Sequence, residues 1–309
     1  MKDVSTQPKN TIGTDPEFFL KKAGVYVSSQ SAKIKGTKHE PVALKNGGTI
    51  QRDNVAVEFA TVPAIDRNDF VEKVKSCLID THNMLPADHE LIVEPAATFD
   101  STQLTDPEAQ EFGCDPDFNA YTISMNEKPW CGDSGFRSCG AHIHVGCLGS
   151  DGKPIKGLEF LLEFNGKLNA VKAMDLFHGV ISTLFDNSNA AIKRRELYGK
   201  AGSHRPTDYG VEYRVLSNYW MKSPQLVMLM DSLTRDAMAL IVADKLQDIL
   251  DLIGEDELQS VINNGDVVSA QKILENYIIP NISPETFDYY DMCVENLPKY
   301  KSIKEEWGI

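Results

Sequence analysis

Ser138-Cys139-Gly140-Ala141-His142-Ile143-His144-Val145-Gly146 is the stretch on which the reading of this chain turns. Ile143 and Val145 favour an extended backbone and glycines bound the run, so a strand is expected. Its two-residue period puts His142 and His144 on one face. Two readings fit imidazoles so placed. One is a solvated or mutually satisfied polar face; the other is a metal or phosphate site, since neutral imidazole ligates metals and its edge can hydrogen-bond phosphate. What other strands bring to that face decides between them.

Three do bring such groups. Residues 11–20 read as the first strand, with Asp15 and Glu17 on one face and Phe18 and Leu20 on the other. Pro16 removes a ladder donor there, which calls for an edge or a bulge. Residues 54–60 form a second strand, in which Ala56 and Glu58 share a face while Val55, Val57 and Phe59 pack inward. A carboxylate on so apolar a strand needs a partner, and a cation would serve. Residues 211–216 form a third, placing Glu212 and Arg214 together. Acids and imidazoles at alternate positions of four strands favour a concave sheet lined with ligands. Mg²⁺ or Mn²⁺ suits a set dominated by carboxylate oxygens.

The 309 residues carry a formal net charge of -14, which argues against duplex nucleic acid or an anionic membrane as partner. Six cysteines without a Cys-x-x-Cys pair read as free thiols of a reducing cytoplasm. Residues 1–10 form a polar tail with no apolar core after Lys2, unlike a signal peptide. The apolar window 226–250 is interrupted by Asp231, Arg235, Asp236 and Asp244, which excludes an unpaired membrane span. Without repeats, low-complexity stretches or a linker, one domain over 1–309 is expected, with 223–309 as its helical C-terminal part.

The remaining elements follow from local signals. A short strand is expected at 24–28, a mobile loop or hairpin at 33–48, and a helix from an Asp66 N-cap to about residue 82. A strand at 91–95 precedes a structured loop at 112–121. Residues 157–184 read as helix, with Gly166 and Gly179 marking breaks or close packing. The segment 193–206 concentrates cations and glycines: either a solvated charge run, or a loop composed for phosphate oxygens. Ser223-Pro224 opens a helix expected to run through residue 250, and helices near 255, 267–277 and 283–297 form a packing layer.

Gly-Thr-Asp-Pro-Glu-Phe (13–18), Val-Ala-Val-Glu-Phe (55–59), His-Ile-His-Val-Gly (142–146), Leu-Tyr-Gly-Lys-Ala-Gly-Ser-His-Arg (197–205) and Gly-Val-Glu-Tyr-Arg-Val-Leu (210–216) together resemble the phage-type carboxylate–amine ligases of the glutamine synthetase-like superfamily. The resemblance implies an α+β fold: a curved, mostly antiparallel sheet, helices packed on its convex face and a helical C-terminal layer. It implies an ATP-dependent amidoligase that uses Mg²⁺ or Mn²⁺ and joins a small-molecule or peptide carboxylate to an amine through an acyl phosphate. A partner delivering ammonia or belonging to a modification pathway is compatible with it, as is the host cytoplasm of a phage. By motif position, Asp15, Glu17 and Glu58 would ligate metal, and His142 with Glu212 would complete a second position. His144 would contact nucleotide or substrate. Arg195, Lys200, Arg205 and Arg214 would hold the nucleotide, with Arg214, Arg205 and Glu58 closest to the chemistry. Asp117, Asn119 and Tyr121 are the candidates for acceptor recognition. Two departures stand out: Asp-Pro-Glu replaces a pair of glutamates, and Ala141 precedes the histidine strand where glycine is common.

Two rivals remain. His-x-His with acidic partners also suits a metal-dependent hydrolase, although a barrel of that kind needs repeated βα units after its first strand. A non-catalytic nucleotide-binding protein would have lost a metal or phosphate contact, yet Glu17, Glu58, His142, Glu212 and Arg214 are all present.

Overall fold

The computed structural model describes residues 9–110, 117–127 and 135–309; Cys114, Cys131 and positions 112–116 of the expected site loop lie outside the described residues. In chain order the strands are β1 (Thr11–Thr14), β2 (Glu17–Lys22), β3 (Val25–Val27), β4 (Val42–Ala43), β5 (Thr49–Asp53), β6 (Ala56–Ala60), β7 (His89–Ile92) and β8 (Ala96–Thr98). There follow β9 (Phe118–Asn119), β10 (Ser124–Met125), β11 (Phe136–Ser138), β12 (Ile143–Gly146), β13 (Ser203–Thr207) and β14 (Gly210–Tyr213). One sheet has the order β1-β12-β14-β13-β9-β10, a second the order β3-β2-β6-β5-β4 with β7 also on β2, and β11 pairs with β8. The pairing is antiparallel in both large sheets, so the expected α+β, antiparallel architecture is the one found.

The expected first strand divides at Asp15-Pro16. β1 pairs with β12, Gly13 opposite His144, whereas β2 pairs with β6, Glu17 opposite Glu58. Pro16, which cannot donate to a ladder, therefore marks where the chain leaves one sheet and enters the other. The seam is tied on both sides: Thr61 N donates to Thr14 O at 2.9 Å, Ile12 N to Ala64 O at 2.9 Å, and Glu17 N to Gly140 O at 2.9 Å.

Beneath the sheets, Ile12, Phe18, Val57, Phe59, Ile143, Val145 and Val211 join one apolar cluster with the helices. Full burial of each such side chain contributes about 1.5–3 kcal/mol. Phe19, on the opposite face of β2, packs edge-on against Tyr26 and Phe99 in a second, smaller cluster, so β2 is covered on both sides. Asp66 caps the helix Arg67–Met84 by accepting from Asp69 N, and Ser223 with Pro224 opens the helix Pro224–Val242.

Two expectations are corrected. The helix from Ser223 stops at Val242, because Asp244 takes a left-handed φ of 55°, and a new helix runs Leu246–Ile253. Residues 157–184 are not one regular helix: a 3₁₀ turn Glu159–Leu162 leads to the helix Phe164–Met174, a π turn Asp175–Gly179 and the helix Val180–Phe185. Gly166 serves close packing, since a Cβ there would sit 1.8 Å from Phe160 O. Of the two forms expected at 33–48 the hairpin is found: β4 pairs antiparallel with β5, and buried Ile34 and Leu44 anchor the segment.

His178, in the π turn, gives a test of this core. It is fully buried, with Nε2 3.1 Å from Met230 O and 3.0 Å from Thr234 Oγ1, and burial drives its pKa down to about 4. The unfolded chain takes up this proton near pH 6.5, the folded chain only near pH 4. His178 thus stabilises the fold fully above about pH 6.5, and that contribution, on the order of 3 kcal/mol, is lost as pH falls through this window. Urea unfolding of His178→Gln should show a flatter stability profile between pH 6.5 and 4 than the parent chain; parallel profiles would contradict the assignment.

Candidate functional site

The sheet switch at Pro16 sends the two acids of the first strand to different neighbours. Asp15, Glu212 and His144 form one group whose ligand atoms lie within 4.8 Å of one another; Glu17, Asp53 and Glu58 form another to the same limit. Register explains both. Asp15 follows the β1 residue opposite Ile143, and Glu212 lies directly across β12–β14 from His144. Glu17 faces Glu58 across β2–β6, and the β5–β6 hairpin folds Asp53 back beside them.

Around the first group, His144 Nε2 lies 3.4 Å from Asp15 Oδ2, and its Nδ1 is 2.6 Å from Tyr209 OH, which orients the ring. His142 Nδ1 is 3.1 Å from Asp15 Oδ1, 3.2 Å from Arg214 Nη1 and 3.5 Å from Glu212 Oε1. His142, the histidine expected to join Glu212, thus lies within 3.5 Å of both carboxylates of the group that His144 completes. Arg214 Nη1 bonds Glu212 Oε1, and Arg205 Nη1 approaches the same oxygen at 3.8 Å. Burial opposes ionisation of Asp15 and Glu212, yet both carboxyls are held below the usual range: Asp15 by His142 and His144, Glu212 by His142 and Arg214.

The second group behaves in the opposite way. Burial and the Asp53 charge push the Glu17 carboxyl up to about 8, against a hydrogen bond of 2.7 Å from Gly140 N to Oε2. Glu58 is raised well above its ordinary value by burial and by Asp15, Asp53 and Glu17, despite a bond of 2.9 Å from Gln51 Nε2. Three carboxyls so placed cannot all ionise cheaply without a cation between them. The all-oxygen donor set fits Mg²⁺ or Mn²⁺, and the set containing His144 fits Mn²⁺ or Mg²⁺.

Two spaces flank these groups. A small cavity of about 50 Å³ is lined by Glu17, Asp53, Asp117, His142, Arg194 and Arg214, among others. A groove of about 600 Å³ lies along β1, walled by Gly13, Thr14, Thr61, Gly146, Tyr209 and His144. Arg195, expected at the nucleotide, is instead buried, donating Nη2 to Ser182 O at 3.1 Å and Asp186 O at 2.8 Å. Arg194, one residue earlier on the helix Asn189–Leu197, lines the cavity and is buried as well, donating Nη1 to Val215 O at 3.0 Å and Nη2 to Leu216 O at 2.9 Å. Lys200 is exposed and outside both linings.

Of the acceptor candidates, only Asp117 lines the cavity, its Oδ2 3.7 Å from Arg214 Nε. Asn119 Oδ1 instead accepts from Tyr121 N and Thr122 N, shaping the turn, and Tyr121 OH reaches Asp175. Sequence reasoning did not single out Asp53, Arg194 or Tyr209. Asp53 had a readable signal: Asp53-Asn54 is a turn pair, and a hairpin there sets Gln51 and Asp53 on the face of Glu58.

Residues 134–275, just under half of the chain, match the family described as phage phiEco32-like COOH.NH2 ligase-type 2. That span holds the His142 strand, the basic segment and the Glu212 strand, so the resemblance drawn from those motifs is borne out there. No curated protein is significantly similar in sequence. Among solved structures, a bifunctional glutathione synthetase from Pasteurella multocida aligns with TM-score 0.46 and 12% identity, covering 97% of this chain and 48% of that one. This chain thus spans about half of its length. A glutamine synthase homolog gives TM-score 0.39 and 12% identity over 94% of this chain and 71% of that one. Ligand-free GmaS gives 0.39 and 10% over 93% and 70%.

Proposed function

We propose that this chain is an ATP-dependent carboxylate–amine ligase whose two ligand groups, meeting at Asp15-Pro16-Glu17, hold divalent cations beside a nucleotide. The observation that carries the reading is that pair of groups: two three-residue ligand sets, built by strands of both sheets, with Arg214 and Arg205 at Glu212. The family match over 134–275 supports it. Divalent cations bound there would offset the charge of both carboxylates and nucleotide phosphates.

The chain's own residues divide the rest of the work. The groove along β1 takes the nucleoside, and His144, oriented by Tyr209, marks the end at which the phosphates meet the ligand groups. Arg214 and Arg205 offer guanidinium donors to phosphate oxygens, placing fixed positive charge where the transferring phosphoryl needs it. The γ-phosphoryl passes from ATP to an oxygen of the acceptor carboxylate, leaving ADP; the amine nitrogen then attacks the acyl carbon, the bond from that carbon to the phosphorylated oxygen breaks, and inorganic phosphate and one proton are released. The cavity lined by Asp117, Arg194 and Glu17 is the acceptor side. Small-molecule or peptide acids and amines are the substrates, and buried Cys77, Cys139, Cys147 and Cys293 suit a reducing cytoplasm.

The deciding experiment supplies the chain with Mg²⁺, ATP and panels of acids and amines, reading ADP and product mass. ADP formed only when both acid and amine are present is the expected result. Amide hydrolysis without nucleotide would instead establish the hydrolase reading. Gly13 tests the groove: the nearest atoms to a Cβ there are Thr61 Oγ1 at 3.6 Å, His144 Cβ at 3.7 Å and Thr61 O at 3.9 Å, ordinary contacts. Gly13→Leu should therefore fold but fill the groove, raising KM for Mg-ATP at least about tenfold, or roughly 1.4 kcal/mol. An unchanged KM would place the nucleotide elsewhere.

A further inference from the structure

Behind β14, on the face away from the ligand groups, sits a fully buried acid that sequence reasoning did not single out. Asp175 occupies the first position of the π turn, an irregularity that inserts one residue into a helix and redirects its side chains. Its Oδ1 accepts from Tyr213 OH at 2.8 Å; its Oδ2 accepts from Tyr121 OH at 3.0 Å and from Gly202 N at 2.7 Å. The three donors belong to three segments that border the site. Tyr213 stands between Glu212 and Arg214, Gly202 precedes the β13 strand of Arg205, and Tyr121 lies in the turn of the β9–β10 hairpin that Asp117 leads into.

That hairpin is the last piece of its sheet, and among the described residues only the two of β9 pair with β13, Asn119 opposite Ser203 and Phe118 opposite His204. Ala120 N donates to Gly202 O at 3.0 Å, Asn119 Nδ2 to Ala201 O at 3.2 Å, and Asn126 Nδ2 to Ser203 Oγ at 3.3 Å. All of these ties end on the 201–204 segment. The bond from Tyr121 to Asp175 reaches past it to the helical layer, where Lys172 Nζ also lies 5.2 Å from the centre of the Tyr121 ring. We infer that Asp175 is a positioning residue, which registers the Asp117 loop against the strand of Glu212 and Arg214 and so fixes Asp117 relative to Arg214 at the cavity. Only its consequence for turnover rests on the ligase reading; the registration itself does not.

A carboxylate can accept all three bonds, whereas an amide must turn one N–H₂ donor toward a donor. Asp175→Asn therefore breaks the three-way junction, and Tyr121→Phe removes the loop's bond alone while leaving those of Tyr213 and Gly202. In the full chain, amide hydrogen exchange across 117–127 should quicken at least about tenfold in Tyr121→Phe, with exchange in β12 and β14 unchanged. Mn²⁺ occupancy read by electron paramagnetic resonance, which a partly unfolded sample would lose, should stay at the parent value. In an ATP-coupled assay, turnover should fall about tenfold while KM for Mg-ATP stays within about twofold. Unchanged exchange at 117–127 in Tyr121→Phe overturns the inference whatever the turnover does. Faster exchange in a chain that forms no ADP with any acid and amine keeps the inference and overturns the ligase reading instead.

Discussion

Glu212→Gln should lower ADP formation by at least about a hundredfold and reduce the Mn²⁺ bound per chain by one, with the fold preserved. Glu212 stands at the centre of the first group: it is one of the three ligand-bearing residues, and its Oε1 meets Arg214, Arg205 and the imidazole of His142. Glutamine keeps its shape and one acceptor oxygen but removes the charge that balances two guanidiniums. Alanine is a harsher test, because it strips the carboxylate from a buried Arg214, and breaking a buried pair in this way costs about 3–5 kcal/mol. Turnover near that of the parent in the glutamine variant, with metal binding intact, would falsify the assignment of Glu212 to the site.

Asp53→Asn should act on stability and activity in opposite directions. Burial raises the carboxyls of Glu17, Asp53 and Glu58, and the charge of Asp53 raises those of Glu17 and Glu58 further, so the metal-free chain carries a local cost. Removing one of the three charges should raise the melting temperature in EDTA by a few degrees, about 2–4 °C for each kcal/mol relieved. The parent chain should gain more from the cation itself: at a hundredfold excess over Kd, Mg²⁺ or Mn²⁺ stabilises by about 2.7 kcal/mol. In Asp53→Asn that gain should shrink sharply, and ADP formation should fall about a hundredfold. Calorimetry with and without Mn²⁺ reads both effects. A variant that melts lower than the parent in EDTA and still gains fully from Mn²⁺ would show that Asp53 is no ligand.

Much of this site was legible before any coordinates, because strand periodicity fixes which side chains share a face. Asp15, Glu17, Glu58, His144, Glu212 and Arg214 all reach the ligand groups or their immediate neighbours, as alternation required. What alternation cannot say is which strands become neighbours. Asp15 and Glu17 read as partners on one face, yet register across β12 claims one and register across β6 the other. His142 and His144 likewise share a face, and only the surrounding Asp15, Glu212 and Arg214 distinguish their roles. Arg194 and Arg195 show the limit most clearly. Adjacent on a helix, they point about 100° apart, and tertiary packing sends one to the carbonyls of Val215 and Leu216 at the cavity wall and the other to the carbonyls of Ser182 and Asp186. Helix ends were the weakest part of the reading, since Asp244 breaks the helix from Ser223 without a glycine or proline to announce it.

The handover of the chain at Pro16 has a mechanical consequence. Asp15 and Glu17 are separated by a single residue, so their Cα atoms can never be more than about 7 Å apart, whatever the two sheets do. Proline narrows the range further by fixing its own φ. Breathing of one sheet against the other can tilt the two ligand groups but cannot pull Asp15 and Glu17 apart; the covalent chain acts there as a ruler that packing forces cannot stretch.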